Sequence, residues 1–478
     1  MIKHTKIVAT LGPSCESVEI LEDMVKSGLN VARLNFSHGT YENHALLIKN
    51  IRAVEEKTGE PIAIMQDIQG PRIRLGILPE KGVEIKAGDS VVINTKKSEY
   101  DSKELPLDYP GLEKFLKPGE RILISDGKVE LKINEIKGSE IYCQVIEGDI
   151  LSSHKGLNLP DSQLPIPVLS DKDKEDLEFG VKMGVDIVAL SFVRNAQDIL
   201  DARFILKKFA KELKADIEPT FLVAKIERHE ALTNIEEIID EADGVMVARG
   251  DLAMEITMAD LPLVQKRIID LANHKVKPVI VATQMLDSMQ KSSRPTRAEI
   301  TDVANAVIDH ADALMLSNET AVGNNPVLVV KTMSDIIMAT EKSVYDDTRL
   351  PLIRKKETSV EIAVTELSRI LAEEVRAKLI LAASISGETG RLISHVRPEL
   401  PIMVATSTER VRRQLNLSWG INPFVLQPCS SIEELVERSV AYIKKHRIAK
   451  QGDYMIVVAG EPVGQAGNIN LMEVRGIK

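Results

Sequence analysis

The sequence is short of cysteine and aromatic residues, has no long apolar run and carries no basic excess. Three cysteines occur in 478 residues, Cys15, Cys143 and Cys429. They are odd in number, far apart and in neither a CxxC nor a zinc-finger spacing. Reduced structural thiols are therefore expected, not a disulfide or zinc framework. No apolar segment approaches the ~20 residues that span a bilayer, and the run within MIKHTKIVATLGP is too short for a signal-peptide core. A cytoplasmic protein without a membrane partner is expected. Aromatics make up 3% of the chain and the formal net charge is −10. That balance argues against nucleic acid as the main partner, since phosphate backbones select basic surfaces and bases select stacking rings. GxxxxGK[ST], the protein-kinase signature set, HExxH and the nucleophile elbow are all missing, which excludes those devices for nucleotide, metal or acyl chemistry.

What is present has the texture of a globular α/β protein. Hydrophobic residues make up 44% and charged residues 28%, and the length suggests about three domains. Apolar runs with strand character occupy 6–11, 30–36, 62–67, 185–192, 220–226, 244–248, 278–283 and 313–316. Between most of them lie amphipathic helical stretches such as 17–27, 41–58, 171–183, 196–214, 234–241 and 263–275. Eight such alternations predict a (β/α)8 TIM barrel formed by residues 1–71 and 169–345. The rhythm breaks once, at 72–168. Short β-like pieces there (83–85, 90–93, 121–125, 129–136, 140–146) are separated by Gly, Asp, Lys and Pro turns, as in a small β-barrel domain inserted in a βα loop. A linker is expected at 345–358. A C-terminal open α/β domain over 355–478 follows, with strands at 379–383, 402–406, 424–426 and 454–459 and helices at 360–376, 409–415 and 431–445.

The carboxyl ends of barrel strands are where chemistry gathers in this fold. Strand two ends in Arg33, Asn35, Ser37 and His38, and strand three in Asp67. Strand four ends in Ser191 and Arg194, strand five in Lys225 and Glu227, strand six in Arg249, Gly250 and Asp251. Strands seven and eight end in Thr283-Gln284 and in Ser317 to Thr320. For any one strand the plainer explanation is emergence into water. Seven consecutive ends aimed at one mouth require more.

Lys225 and Glu227 are two apart on a strand and share a face. A simple ion pair would satisfy that spacing. Asp251 ends the neighbouring strand and sets a second carboxylate beside Glu227. Few, hard oxygen ligands suit Mg²⁺ or Mn²⁺. With Lys225 and Arg33 this makes a site for a small, highly anionic substrate such as a phosphate ester bearing a carboxylate. Gly250 adds a place where backbone N–H groups face that anion. Thr296 to Glu299, after Pro295, reads as a capping box opening a helix.

These residues lie in longer motifs: KIVATLGPS (6–14), ARLNFSHG (32–39), GPRIR (70–74), KGLNLP (155–160), SFVRNAQD (191–198), AKIERHE (224–230), ADGVMVARGDLAMEI (242–256), ATQMLDSM (282–289), RPTRAEITDVANAV (294–307) and MLSNETAVG (315–323). In this order the chain resembles the pyruvate kinase family from end to end. The resemblance implies transfer of the phosphoryl group of phosphoenolpyruvate to ADP, giving pyruvate and ATP. It implies Glu227 and Asp251 as ligands of the divalent ion, Lys225 neutralising the phosphoryl in flight and Arg33 on phosphate. The backbone of Ala248, Arg249, Gly250 and Asp251 would receive the substrate carboxylate, with Thr283 at the protonation face of the enolate. Asn35, His38, Arg74 and Lys155 resemble nucleotide-side residues. The inserted domain, including Asp126 and Gly127, resembles the family's mobile lid, and a homotetramer is implied.

In the C-terminal domain Ser384, Ser386, Gly387, Glu388 and Thr389 follow a strand and open a helix. Hydroxyls, glycine and a helix N-terminus together form a phosphate-binding arrangement, although a well-capped helix would look the same. The family places a phosphorylated effector here. The acid Glu388 and the lack of a lysine point to a sugar monophosphate or AMP over fructose bisphosphate. Two rivals remain: a metal-dependent lyase acting on pyruvate enolate, which needs neither a lid nor Arg33, His38 and Lys155, and a catalytically silent paralogue, against which Lys225, Glu227, Asp251 and Thr283 speak.

One stretch departs from the family. Where its commonest form reads DTKGPEIRT beside a K⁺ ion, residues 67–75 read DIQGPRIRL. Arg72 replaces an acid with a fixed positive charge, as a lysine does in members that work without K⁺. K⁺ is therefore expected not to be required, with Arg72 as its substitute. Asn35, Ser37, Asp67 and Ile68 are the residues a residual monovalent site would use.

Overall fold

The computed structural model describes residues 3–125, 127–162, 164, 167–215, 220–346, 359–460 and 469–478. Asp126 and most of the expected linker at 345–358 lie outside that set. Eight parallel strands close a barrel in the spatial order of the chain: Lys6–Thr10, Val31–Asn35, Ala63–Asp67, Ile187–Leu190, Phe221–Ile226, Gly244–Ala248, Val279–Ala282 and Ala313–Leu316. Nearly every strand residue is buried, because helices cover the outer face and side chains fill the interior. That is why these strands read as continuous apolar runs, with no alternation. Val8, Met65, Ala189, Met246, Ile280 and Met315 are among the side chains filling the inside.

The helices around the barrel are fixed at their starts by side-chain caps. Ser17 accepts from Ile20 N, and Thr40 from Asn43 N. Ser170 and Thr296 each close a reciprocal capping box, with Asp173 and Glu299. Each cap contributes about 1 kcal/mol.

Between the third and fourth barrel strands the chain builds a separate seven-stranded sheet with its own apolar core, from Ile73 to Leu164. Its turn at Gly127 approaches the barrel so closely that a Cβ there would lie 2.7 Å from Met254 Sδ.

The C-terminal sheet has five strands: Leu379–Ala383, Ile402–Thr406, Ile421–Val425, Tyr454–Ala459 and the antiparallel Leu471–Gly476. It sits under the amino ends of the barrel strands, opposite the mouth. Leu417 is fully buried in the cluster that fills the barrel interior. Around it, Arg413 pairs with Glu55 at 2.8 Å, and Lys6 Nζ donates to Ile421 O at 2.6 Å. Trp419 N donates to Asp312 Oδ1 at 3.1 Å. Among the described residues no helix is long and apolar enough to cross a membrane.

Candidate active site

Strands two to five bring four ionisable side chains to one point. Lys225 Nζ lies 3.2 Å from Asp67 Oδ1 and 2.9 Å from Glu227 Oε1, and donates to Ser191 Oγ at 2.7 Å. Arg33 Nε donates to Asp67 Oδ2 at 2.7 Å, and its Nη1 to Thr10 Oγ1 at 2.8 Å. Glu227 Oε2 accepts from Phe192 N at 2.8 Å. All four charged residues are buried, so each depends on the others for its ionisation.

The pKa directions follow. Burial alone would lift Asp67, but Arg33 and Lys225 outweigh it and hold the carboxyl below its ordinary value. Burial would depress Lys225, yet Asp67 and Glu227 hold it above the usual lysine value, so it remains an ammonium. Glu227 goes the other way: burial raises it, Lys225 opposes, and Asp251 raises it again. Two carboxylates that repel one another, one of them buried, make a place a cation would relieve.

The segment after strand six turns at once into the short helix Arg249–Glu255. The Arg249 side chain does not enter the charged cluster. It is clamped by Asp302 at 2.9 and 2.7 Å, and donates to Ala282 O at 3.0 Å and Thr283 O at 2.6 Å. Thr283 takes a positive φ of 70°, which costs a β-branched residue about 1–3 kcal/mol. Its Oγ1 is buried and has no hydrogen-bond partner. Gly250 sits beside it, with ordinary van der Waals room for a Cβ at 3.7 Å from Thr283 Cγ2.

At the end of strand three the chain leaves for the inserted domain. Arg72 Nη2 comes to 3.7 Å from Asp251 Oδ1. Asp67 already has both oxygens engaged, Ile68 O accepts from Ser191 Oγ at 2.6 Å, and Asn35 Oδ1 accepts from Ser37 N at 3.2 Å. A cavity of about 1210 Å³ opens over the mouth, bordered by Arg33, Asn35, His38, Arg72, Asp251 and Thr283. Arg74 and Lys155 lie on the lid side of this mouth and do not line the cavity. Arg74 donates to His154 O at 3.1 Å, burial and Arg72 lower its pKa, and Lys155 is exposed.

In the C-terminal domain, Thr389 N donates to Ser384 Oγ at 3.2 Å and Glu388 N to Ser386 Oγ at 3.4 Å. Gly387 has φ +84°, and a Cβ there would lie 2.8 Å from Leu415 Cδ2. Arg391 Nη2 donates to Ser386 O at 2.9 Å. This arginine, one helical turn beyond the glycine, brings to the loop a positive charge where the sequence shows no lysine.

Three further residues take part that the sequence does not mark as partners: Thr10 at the end of strand one, Ser191 at the end of strand four, and Asp302 inside a helix.

Two family models match the chain: pyruvate kinase, barrel domain, over residues 2–330, and pyruvate kinase, alpha/beta domain, over 363–475. A pyruvate kinase of Corynebacterium glutamicum is 41% identical, covering 99% of this chain and 98% of its own. One from Geobacillus stearothermophilus is 39% identical, covering 100% and 81%. The crystal structure of a pyruvate kinase from Cryptosporidium parvum superposes with a TM-score of 0.92 at 36% identity, covering 100% and 96%.

Proposed function

The chain belongs to the pyruvate kinase family, phosphotransferases acting on phosphoenolpyruvate and ADP, and from that premise we propose how its own residues divide the work. The observation that carries the reading is Lys225, a buried ammonium held by Asp67, Ser191 and Glu227. Phosphoryl transfer needs positioning and charge neutralisation more than covalent chemistry. Lys225 and Arg33 supply fixed positive charge where the phosphoryl group leaves the enol oxygen and reaches ADP. The first backbone N–H groups of Arg249–Glu255 orient the substrate carboxylate. Thr283, its hydroxyl uncommitted, delivers a proton through water to the enolate carbon, since an alcohol alone is a poor acid at neutral pH.

The family generally uses a divalent metal. Among the described residues no group of three or more His, Cys, Asp or Glu is arranged to hold one. The raised pKa of Glu227 beside Asp251 fits a two-carboxylate site completed by substrate oxygens and water, which suits Mg²⁺ or Mn²⁺. When bound, that ion adds positive charge at the phosphate and the enolate oxygen. Glu227 and Asp251 would hold it, and Phe192 N and Lys225 orient Glu227.

Residues 72–168 serve as the lid that excludes water, with His38, Arg74, Lys155 and Asn35 on the nucleotide side. Closure brings Arg74 and Lys155 to the mouth from their present position. Arg72 stands in for K⁺. The Ser384–Thr389 loop takes a phosphorylated effector, a sugar monophosphate or AMP, supported by Gly387 and Arg391. A homotetramer is supported by exposed apolar side chains on two faces: Met258 and Leu263 on the barrel, and Leu367 and Ile370 on the C-terminal domain. The buried free thiols, Cys15 pushed up by burial to about 11 and Cys143 to about 12, suit a cytoplasmic setting. A coupled assay of pyruvate formation from phosphoenolpyruvate, with and without ADP, tests the assignment. ADP-dependent release supports it, ADP-independent release favours the lyase, and none favours the silent paralogue.

A further inference from the structure

The inserted domain is joined to the barrel twice, by an outgoing chain at 68–72 and a returning chain at 167–170. Both passes meet one side chain. Asp173, fully buried in the first turn of the helix Asp171–Met183, accepts from Gly70 N on Oδ1 at 3.0 Å. Its Oδ2 accepts from Ser170 N at 2.8 Å and from Ser170 Oγ at 2.6 Å. The Ser170 half is ordinary helix capping. The Gly70 half is not, because Gly70 lies 103 residues away in sequence.

The outgoing chain is tightly confined where it is held. Gly70 has φ +69°, and a Cβ there would come within 3.0 Å of the Phe192 ring and 3.1 Å of Ser191 Cβ. Ser191 Oγ is the acceptor for Lys225, and two residues past Gly70 the chain places Arg72 against Asp251. The same helix turn is anchored to strand ends on either side: Lys172 Nζ donates to Phe36 O at 3.0 Å, and Gln66 Nε2 to Asp176 O at 2.6 Å.

We propose that Asp173 is a positioning residue for the reaction, the pivot that ties both chains of the inserted domain to one point on the barrel and so fixes where Arg72 and Arg74 stand when the domain closes. It is buried and does not line the cavity at the mouth. Buried hydrogen bonds to a carboxylate are strong and costly to lose, so the pivot holds while the domain beyond it moves. The inference rests on the reading of residues 72–168 as a lid.

The test compares D173N with S170A. Serine removal strips the helix cap but leaves the Gly70 bond, so S170A lowers the melting temperature with KM for ADP unchanged. D173N keeps one acceptor for two chains. It raises KM for ADP by about five-fold, the size of one net hydrogen bond, lowers kcat, and speeds hydrogen exchange in 68–72. A D173N enzyme that behaves like S170A, stability lost and KM intact, overturns the pivot. If D173N does not fold, the wild-type Gly70 amide decides: slow exchange supports the pivot and exchange as fast as an exposed loop overturns it. Small-angle scattering separates the two readings. A wild-type profile unchanged by phosphoenolpyruvate, ADP and Mg²⁺ ends the lid reading. Equal closure in wild type and D173N with unchanged KM ends the pivot alone.

Discussion

Arg249 grips Thr283 by its carbonyl, at 2.6 Å, and leaves the hydroxyl alone. The arginine spends its charge on Asp302 and on two backbone oxygens, which holds Thr283 in a left-handed conformation with Oγ1 buried and unpartnered. An unsatisfied buried hydroxyl is costly unless a substrate or water meets it. T283A is expected to slow proton incorporation into the methyl group of pyruvate by about 10²-fold, the low end of general acid–base effects, and T283S to restore most of it. Solvent tritium incorporation measures this. An unchanged rate in T283A would remove the role.

Lys225 is tied to the site by charge and not by shape. K225M keeps the bulk and loses the ammonium, and kcat is expected to fall by about 10³-fold, comparable to loss of an electrostatic transition-state donor, with KM for phosphoenolpyruvate little changed. The same change acts on stability. Asp67 is held below its ordinary value, so its contribution is present above the unfolded value of 3.8 and is lost as pH falls through the lower folded value. Without Lys225 only Arg33 opposes burial and the Asp67 pKa rises, so acid unfolding of K225M should begin at a higher pH than in wild type. Circular dichroism against pH reads this.

His395 gives a second pH signature, far from the mouth. Burial first, then Arg397 and His274, lower its pKa from 6.5 to about 4. The unfolded chain therefore binds a proton that the folded chain refuses between those values. Stability from this group is complete above pH 6.5 and is lost as pH falls toward 4. H395Q should lose less melting temperature than wild type between pH 7 and pH 5. Equal losses would show that His395 titrates normally.

The barrel was legible because its strands are buried on both faces and therefore spell continuous apolar runs. Gly244–Ala248 and Ala313–Leu316 match the sequence reading to the residue. The Thr296–Glu299 capping box is also where its letters put it. Strands with weak letters were not legible. Ile421–Val425 contains Pro423, which an edge strand tolerates, and it starts three residues before the strand that the sequence predicts at 424–426. Leu471–Gly476, at the other sheet edge, mixes charged with apolar residues and gives no strand signal in the sequence. The charged cluster was legible by type, since Lys225 and Glu227 share a face. Its support was not. Thr10, Asp302 and Asp173 reach their partners across the fold, and no local pattern announces a contact made by tertiary packing.

The proposed effector loop turns on Gly387. Any side chain there meets both a positive φ and Leu415. G387A is expected to abolish effector binding while leaving basal turnover intact. Isothermal titration of wild type with ribose 5-phosphate, AMP and fructose bisphosphate should show binding by a monophosphate and none by the bisphosphate. No binding by any of the three would remove the site, and tight bisphosphate binding would show that Arg391 supplies the charge a lysine was expected to give.

Arg72 is the departure with the sharpest consequence. Its guanidinium stands 3.7 Å from Asp251 Oδ1, at the rim of the cavity that also takes in Arg33. In the proposed role, a fixed cation there would add positive charge on the phosphoryl side, the contribution a monovalent ion would otherwise bring. The residues of a residual K⁺ site are meanwhile engaged: Asp67 by Arg33 and Lys225, and Ile68 O by Ser191. An arginine is always charged and its fork is rigid, so its effect should not vary with pH in the working range. Full activity is expected in tetramethylammonium buffer, with less than about a twofold gain on adding K⁺, under 0.5 kcal/mol. R72E should lose activity without K⁺ and regain part of it with K⁺, whereas R72K should remain independent of it. Strict K⁺ dependence of the wild-type enzyme would overturn the substitution and return the monovalent site to Asn35, Ser37 and Asp67.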